Sequence, residues 1–486
     1  MEEFGFALAE STSLREEAGG FFILSRRPLR VLRLNSSLFR LLGHIQAGGT
    51  LTEFARGAGL DEGRLLKTLL SLTAGGYLRL DKIAGLDDYP AVSVVIPVKD
   101  QPEELAGCLE ALAGLDYPQN RLEIIVVDDG SFTAVSQIIT TPDVRVIRQD
   151  APRGPASSRN AGAGTAHGDI MAFLDADCVP RPAWLKELVP FFRAADIGAV
   201  GGYVEGYDQV RLLDRYEAVA SSLNQGGSIL MAGATASTFY VPTANLLVTR
   251  AAFAQAGGFQ DGMRLGEDVD FCWRLRSGAT LLYVPYGRVA HKHRNRLFPM
   301  LKRRSEYGTS EAVLYRAHRE KRKTFFISAY AGLSFIALAL AVLLLNPYPI
   351  GGGLLALGID LWRKSGALAG SKMVSFRQIA GATLRSYPAF YYAISFHLVR
   401  YYFILLVGLG FLFHPVWLVC LLMLLLTSIA DYRAKRPRLI YPVYLYFYTL
   451  EHLAYQVGVF WGCLKLGYFG SYIPKVSFSY APQVES

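Results

Sequence analysis

Two carboxylates separated by one residue end a predicted buried strand. Asp175, Ala176 and Asp177 follow the apolar run DIMAFL, so both acids are expected at the carboxyl end of that strand and on the same side of it. Two carboxylates this close repel each other unless a cation lies near them. Mg²⁺ and Mn²⁺ bind proteins through one or two carboxylates together with substrate phosphates. The pattern therefore predicts Mg²⁺ or Mn²⁺ as the cofactor of a phosphorylated substrate.

A second acidic motif, VVDDGS, ends another predicted strand. Asp128 and Asp129 follow the apolar run LEIIVV, and Gly130 allows the backbone to turn tightly beside them. Carboxylates in this position can accept hydrogen bonds from a ribose or from a base N–H. Asp-Gly-Ser is also ordinary turn chemistry, so a purely structural turn stays open as the alternative.

Two further motifs lie later in the chain. Glu267, Asp268 and Asp270 begin the helical pattern EDVDFCWRL, whose first turn favours acids. One of these acids could act as the general base for a hydroxyl that loses its proton while attacking. His291 and His293 lie two residues apart on an extended segment, and either imidazole could add a metal ligand. Two surface histidines in a basic segment are the alternative.

Short apolar runs alternate with helical patterns between residues 89 and 322. The runs include SVVIPV, LEIIVVDDG, VRVIRQ, DIMAFLDAD, AVGGYV, YVPTANLLVT and TLLYVPY. Continuous apolar strands separated by helices predict an α/β domain with a mostly parallel sheet that is covered on both faces. Ligands of such sheets bind at the carboxyl ends of the strands, where the acidic motifs lie.

Residues 1–88 are predicted to form a separate winged-helix-like module. Two strands in FFILSRRPLRVLRL precede three helices and a closing strand, YLRL. The first 90 residues carry eleven basic and eleven acidic side chains. A balanced charge lacks the electrostatic footprint of DNA binding, so no nucleic-acid partner is expected. The expected role is peptide docking or packing against the rest of the chain.

The C-terminal part, residues 323–486, is predicted to be a membrane-associated helical region. The chain is 51% hydrophobic with a net charge of +9, and the segment His291–Lys323 holds eleven Lys or Arg against three Glu. This basic segment precedes an uncharged apolar run at 325–345, which is long enough for one crossing. Positive charge beside such a run marks the cytoplasmic side and attracts anionic lipids. We therefore expect two to four crossings of the cell membrane, with the catalytic domain in the cytoplasm.

Cysteine usage and the N-terminus narrow the class of protein further. The five cysteines are scattered and show no CxxC pair, so neither a disulfide framework nor a zinc module is expected. The opening MEEFGFALAE has no basic segment followed by an apolar run, so no signal peptide is expected.

The motifs SVVIPVKD, VVDDGS, RGPASSRNAG, FLDADCVP and GEDVDFCWRL, followed by the later His, resemble those of inverting glycosyltransferases of family 2. The resemblance covers about residues 91–310 and implies the Rossmann-like GT-A fold. It also implies a metal-dependent hexosyltransferase that takes its sugar from a nucleotide-diphosphate donor and inverts the anomeric centre.

The resemblance assigns roles to individual residues. Asp268 would be the general base with support from Glu267, and Asp177 and His291 would hold the metal, with His293 as the fallback ligand. The donor would be bound by residues from several strand ends and loops, namely Pro97, Val98, Asp100, Asp128, Asp129, Arg153, Arg159, Asp175 and Ala176. The acceptor side would be lined by Thr243, Asn245 and Trp273.

A narrower resemblance rests on RRPLRVLRLNSSLFRLL, RGPASSRNAG and RRSEYGTSEAVLYRAH, which look like segments of the glycosyltransferases of the mycofactocin system. It implies glucose as the sugar, UDP-glucose as the donor and a mycofactocin-type, peptide-derived acceptor. Transfer to a lipid-linked or cell-envelope glycan stays open, as does a non-catalytic peptide-docking scaffold. The stretch LFPMLKRRSEYG lacks the QxxRW motif of processive polysaccharide synthases, which argues against a role of that kind.

Overall fold

The computed structural model describes residues 3–17, 19–137, 139, 143–233, 238–321, 323–326, 328–368 and 374–477. The chain divides into two compact units. One comprises Met1–Leu24 and Leu32–Arg294, and the other comprises Ser25–Val31 and Asn295–Ser486. Every residue predicted to lie in the site belongs to the first unit.

The chain begins with five strands and three helices. They are β1 (Gly5–Leu8), β2 (Thr12–Glu17), β3 (Gly20–Arg26), β4 (Leu29–Leu34), α1 (Ser36–Gln46), α2 (Leu51–Ala58), α3 (Glu62–Ala74) and β5 (Leu78–Lys82). The side chains of Asn35, Thr50 and Asp61 cap the three helices by accepting a backbone N–H of the first turn. The elements predicted from residue 21 onward are present, whereas β1 and β2 were not predicted.

The sheet domain follows directly. Its elements are β6 (Val92–Val98), α4 (Pro102–Ala113), β7 (Leu122–Asp128), β8 (Val144–Arg148), α5 (Pro155–Thr165), β9 (Ile170–Phe173), β10 (Cys178–Pro180), α6 (Trp184–Leu188), β11 (Ile197–Gly201), β12 (Val204–Gly206), α7 (Leu212–Ala220), β13 (Leu230–Ala232), β14 (Leu246–Thr249), α8 (Arg250–Ala256), α9 (Glu267–Leu275), β15 (Thr280–Tyr283) and β16 (Val289–His291). Eight of the strands form one sheet in the order β13-β15-β11-β14-β9-β6-β7-β8.

The eight-stranded sheet confirms the predicted α/β class. The neighbours β9, β6, β7 and β8 run parallel, as do β11 and β15. Strand β14 runs antiparallel to both of its neighbours, a reversal that its apolar sequence did not reveal. Side chains from the central strands, such as Val94, Val95 and Val126, are fully buried on the two faces of the sheet. Burial on both faces explains why these strands read as continuous apolar runs.

A smaller sheet stands beside the carboxyl end of β9. It has the order β10-β16-β12, and Cys178 of β10 pairs in register with His291 of β16. Because β10 begins three residues after Asp175, this pairing brings the histidine segment next to the acids that follow β9.

Phe4, α3 and β5 pack against the sheet domain within the first unit. The rings of Phe4 and Phe191 have centroids 5.3 Å apart. Arg193 forms an ion pair with Glu62 at 2.5 Å, and the hydroxyl of Tyr286 donates to the carbonyl of Leu80. Apolar and polar contacts therefore both fix these elements on the sheet domain.

The second unit is mostly helical. After α10 (Leu297–Ala317) and β17 (Thr324–Phe326) come α11 (Ala329–Leu343), α12 (Tyr348–Leu368), α13 (Phe376–Tyr401), α14 (Phe403–Gly410), α15 (Pro415–Lys435), α16 (Tyr441–Leu466) and β18 (Lys475–Ser477). Helix α10 carries much of the basic segment, yet Arg304 and Glu311 on it are buried. Part of the charge that the sequence suggested for the membrane surface therefore lies inside this unit.

Among the described residues, α15 is the one helix that is long and apolar enough to cross a membrane. The count rises to two if α13 and α14, which are bent by 83° at their junction, are taken as one span. The predicted crossing at 325–345 contains α11, which has 15 residues and falls short of the roughly 20 that a crossing takes.

Candidate functional site

The carboxylate of Asp128 is held inside the protein. It is fully buried and accepts hydrogen bonds from the backbone N–H groups of Ser131 and Val135, at 2.8 and 3.2 Å. Arg148, its register partner on β8, adds an ion pair at 2.6 Å. Burial alone would raise the pKa of Asp128, but these hydrogen bonds and the Arg148 charge lower it overall. Asp128 thus fixes the loop after β7.

Asp129 and Asp100 shape the two loops at the carboxyl ends of β7 and β6. Asp129 accepts the backbone N–H groups of Arg153, at 2.7 Å, and Gly154, at 3.0 Å, just before α5 begins. Asp100 has a φ of 53° and accepts the N–H of Phe132 at 2.7 Å. Pro97 and Val98, which precede it, end β6. These predicted donor-binding residues therefore meet at one edge of the sheet.

Arg159 joins two of the acidic motifs. From its position on α5, its Nη2 lies 2.6 Å from Asp175 Oδ1 and its Nη1 lies 2.9 Å from Glu267 Oε1. Burial of Arg159, which is 3% exposed, works to lower its pKa, but the two carboxylates raise it further above its usual value. A fully charged guanidinium thus compensates two acids at the centre of the site.

Asp268 lies in the first turn of α9, next to Glu267. Burial raises the pKa of Asp268 to about 7, with a further contribution from the negative charge of Glu267. The N–H of Val269, which the carboxylate accepts at 2.8 Å, and the charge of Arg159 oppose this rise. A carboxyl group with a pKa near neutrality can take up a proton and release it again, which a general base must do.

Asp177 and His291 face each other. His291 Nε2 lies 3.4 Å from Asp177 Oδ1, and His291 Nδ1 lies 3.1 Å from Nδ1 of His293. Burial works against both charged forms, but the pair lowers the pKa of Asp177 and raises that of His291. Ala176, between the two acids, is buried. Asp177, Cys178 and His291 place one potential ligand atom each within 4.8 Å of the others.

The three residues predicted for the acceptor side are buried in the first unit. Thr243 and Asn245 lie in a short 3-10 turn before β14, and Trp273 lies on α9. The amide of Asn245 donates to the carbonyls of Tyr203 and Gly287 and accepts the indole N–H of Trp184. These bonds occupy both of its N–H groups, so Asn245 holds neighbouring segments together. A contact of these three residues with an acceptor stays a prediction.

Sequence reasoning missed two residues of this region. Arg148, which pairs with Asp128, stands at the end of the predicted strand VRVIRQ, and parallel pairing of the two strands would have placed it opposite that acid. Cys178 directly follows Asp177, but it lies near His291 only because β10 pairs with β16. Strands this short cannot be predicted from the sequence pattern.

Residues 93–255 match the family described as Glycosyl transferase family 2. A relative along the whole chain is a pre-mycofactocin glycosyltransferase of Mycobacterium tuberculosis, which is 28% identical over 494 residues. That alignment covers 97% of this chain and 98% of the relative.

Two other similar proteins cover less of the chain. Glycosyltransferase AglE of Haloferax volcanii is 25% identical over 51% of this chain and 82% of its own length. The mannosyltransferase PcManGT from Pyrobaculum calidifontis, solved with GDP-Man and Mn²⁺, is 20% identical with a TM-score of 0.39. It covers 69% of this chain and 94% of its own.

Proposed function

The chain belongs to glycosyl transferase family 2, and from this premise we propose that it moves glucose from a nucleotide-diphosphate donor to a mycofactocin-type, peptide-derived acceptor with inversion of the anomeric centre. The observation that carries the proposal is Asp268, a carboxyl group with a pKa of about 7, standing beside the cluster of Arg159, Asp175 and Glu267.

Asp268 is the general base of the proposed reaction. Its carboxylate takes the proton of the acceptor hydroxyl while the hydroxyl oxygen bonds to the anomeric carbon and the bond to the diphosphate breaks. One such displacement inverts the anomeric centre. Glu267 remains paired with Arg159 and keeps the pKa of Asp268 raised through its charge. Asp268 therefore holds the proton after transfer and releases it at neutral pH.

The donor lies at the carboxyl ends of β6, β7 and β9 in this proposal. Asp100 and Asp129 order the loops there, and we assign Asp175, which pairs with Arg159, to the sugar or ribose hydroxyls. Arg153 is exposed two residues before α5 begins, and we assign it to a phosphate of the nucleotide. A helix start with a nearby arginine favours an anion.

A divalent ion fits beside these residues. The facing atoms of Asp177 and His291 are 3.4 Å apart, and their side chains keep 25% and 15% of their surface exposed. Two ligands of one ion have a similar separation, and the exposure leaves room for the phosphates of a donor. Asp177 and His291 would hold Mg²⁺ or Mn²⁺, which when bound would neutralise charge on the leaving diphosphate.

The acceptor assignment is supported by the alignment to the mycobacterial relative, which covers 97% of this chain and therefore includes most of residues 1–88 as well as the catalytic domain. We propose that residues 1–88 dock the peptide-derived acceptor. A lipid-linked or cell-envelope glycan is the second candidate, because α15 is apolar enough to cross a membrane and would place the enzyme next to such an acceptor.

Donor and acceptor selection test the proposal. Purified full-length protein would be titrated with UDP-glucose, GDP-mannose and dTDP-rhamnose, with and without Mn²⁺, and then supplied with a mycofactocin-type acceptor or a lipid-linked acceptor. We expect Mn²⁺-dependent binding of UDP-glucose and transfer to the peptide-derived acceptor. Preference for another donor, or transfer to the lipid-linked acceptor alone, would contradict the corresponding part of the proposal.

Asp268→Asn separates binding from chemistry. The variant should bind donor normally but transfer roughly 10²–10⁴-fold more slowly, the usual loss for a positioned base. Asp270→Asn is the matched control, because the Asp270 carboxylate is paired with Arg274 one turn along the same helix, at 2.6 Å. Near-normal transfer by Asp268→Asn would show that another group is the base.

A further inference from the structure

A buried thiol lies beside the two residues assigned to the metal. Cys178 Sγ is 3.9 Å from Asp177 Oδ1, and the ligand atoms of Asp177, Cys178 and His291 all lie within 4.8 Å of one another. Cys178 has no exposed surface, whereas the side chains of Asp177 and His291 remain partly exposed. The thiol therefore lies on the buried side of this three-residue group, and Asp177 and His291 lie on the side that faces solvent.

The surrounding backbone holds these three residues in place. Cys178 and His291 are register partners in the antiparallel pair β10–β16. The N–H of Lys292 donates to the carbonyl of Asp177 at 2.9 Å, and the N–H of Cys178 donates to the carbonyl of Asp175 at 3.0 Å. The nearby ring of His293 contacts Nδ1 of His291, which leaves Nε2 directed at Asp177. The three ligand atoms are thus positioned by strands rather than by a flexible loop.

The chemistry of this donor set differs from that of a carboxylate pair. Mg²⁺ and Mn²⁺ prefer oxygen ligands, whereas thiolate and imidazole favour Zn²⁺ and its spectroscopic substitute Co²⁺. One sulfur, one nitrogen and one oxygen give three of the four ligands of a tetrahedral site and leave the fourth position for water or a phosphate oxygen.

We propose that Asp177, Cys178 and His291 form a three-ligand site for Zn²⁺ or another borderline divalent ion, with Cys178 as a thiolate ligand. This inference rests on the proposed function, because it takes Asp177 and His291 as the metal-binding pair. On binding, the S–H bond of Cys178 would break, its proton would pass to solvent and a sulfur–metal bond would form. Asp177 and His291 would also hold Mg²⁺ or Mn²⁺ in the proposed reaction, so Zn²⁺ would compete with these ions.

Co²⁺ is the probe for this site. Titration of the full-length protein with Co²⁺ should produce a thiolate-to-cobalt charge-transfer absorption in the near ultraviolet, and Zn²⁺ should abolish it by displacement. Cys178→Ser should lose the band and bind Co²⁺ at least about 10-fold more weakly, a loss at the lower end of that seen when metal-site partners are removed. Cys178→Ala is the second variant in case the serine disturbs folding, and thermal unfolding checks both.

Cys108→Ser is the matched control, because Cys108 is equally buried on α4 but lies outside the three-ligand group. It should keep the absorption band. Asp177→Asn should reduce binding of both Co²⁺ and Mn²⁺.

The outcomes separate the two proposals. Co²⁺ binding that depends on Asp177 but shows no thiolate band would overturn the role of Cys178 and leave the metal-binding pair intact. Binding that does not change in Asp177→Asn would overturn the metal-binding pair and the inference together.

Discussion

At the residue scale, the protonation of Asp268 should control the reaction. Burial raises the pKa of Asp268 to about 7, so both protonation states of the base are populated near neutral pH. We expect kcat/KM for transfer to fall about tenfold per pH unit below pH 7, because this ratio reports the ionisation of free enzyme. The measurement is a pH profile of kcat/KM with saturating Mn²⁺.

Glu267→Gln tests the cause of that profile. Burial is the larger reason for the raised pKa of Asp268, and the charge of Glu267 is the second. Removing that charge should move the acidic limb to lower pH without eliminating it. A wild-type limb near pH 4, the usual range for Asp, would show that Asp268 is not the titrating base.

The same ionisation should appear in the stability of the protein. Because the folded-state pKa of Asp268 is raised, its protonated form favours folding at low pH, and that contribution is lost as pH rises towards 7. Asp268→Asn keeps the neutral form at every pH. The variant should therefore unfold at a higher Tm than wild type at pH 8, and the difference should shrink at pH 5.

Sequence reasoning found the acids of the site but not their partners. The strand-end positions of Asp129, Asp175 and Asp177 followed from apolar runs and a topology rule. The pairing of Arg159 with both Asp175 and Glu267 joins residues 16 and 108 positions apart. No local pattern encodes such distances, so the compensation of the site's negative charge becomes visible only in the fold.

At the element scale, α10 and α16 pack through glycines. A Cβ at Gly458 would lie 1.9 Å from the carbonyl oxygen of Ser305, and one at Gly462 would lie 2.5 Å from that of Thr309. The hydroxyl of Thr309 donates to the carbonyl of Gly458 at 3.2 Å. This close approach of two backbones is typical of small residues spaced four apart on helices.

Gly458→Ala should therefore destabilise the second unit. The methyl group must push the two helices apart, and overpacking of this kind costs about 1–3 kcal/mol. Gly358→Ala on α12 is the matched control, because no described residue outside its own stretch of helix comes within 4 Å of its Cβ position and alanine is the better helix former. The measurement is the Tm of the detergent-solubilised protein, and an unchanged Tm in Gly458→Ala would contradict close packing of α10 on α16.

The elements of the second unit were also harder to predict than those of the sheet domain. Its basic segment suggested a membrane surface, but Arg304 and Glu311 are buried in α10. A charge count along the sequence cannot tell a solvated face from a buried ion pair. The run at 325–345 similarly looked continuous, whereas the helix within it ends at Leu343 and leaves a 15-residue element.

At the scale of the whole molecule, the second unit has many large apolar side chains that are exposed. Helices α12 and α14 and their flanks contribute many of them, namely Leu345, Tyr348, Leu354, Leu355, Trp362, Leu405, Phe411 and Leu412, each at least 63% exposed. Large apolar side chains exposed in such number are typical of a surface that meets a membrane or a partner. Together with the apolar helix α15, these side chains favour the membrane association predicted for residues 323–486.

Membrane extraction tests this location. If α15 crosses the bilayer, the full-length protein should stay with membranes through washes in high salt and alkaline carbonate and should be released by detergent. Release by salt alone would instead mean that the basic segment holds the protein at an anionic surface, because salt screens such attraction.

Leu421→Arg on α15 should weaken retention after carbonate, since a central arginine costs about 2.5–3.5 kcal/mol on insertion scales. Leu212→Arg is the matched control: Leu212 lies on α7 in the first unit and, like Leu421, is 50% exposed. Equal retention of both variants would contradict a crossing by α15.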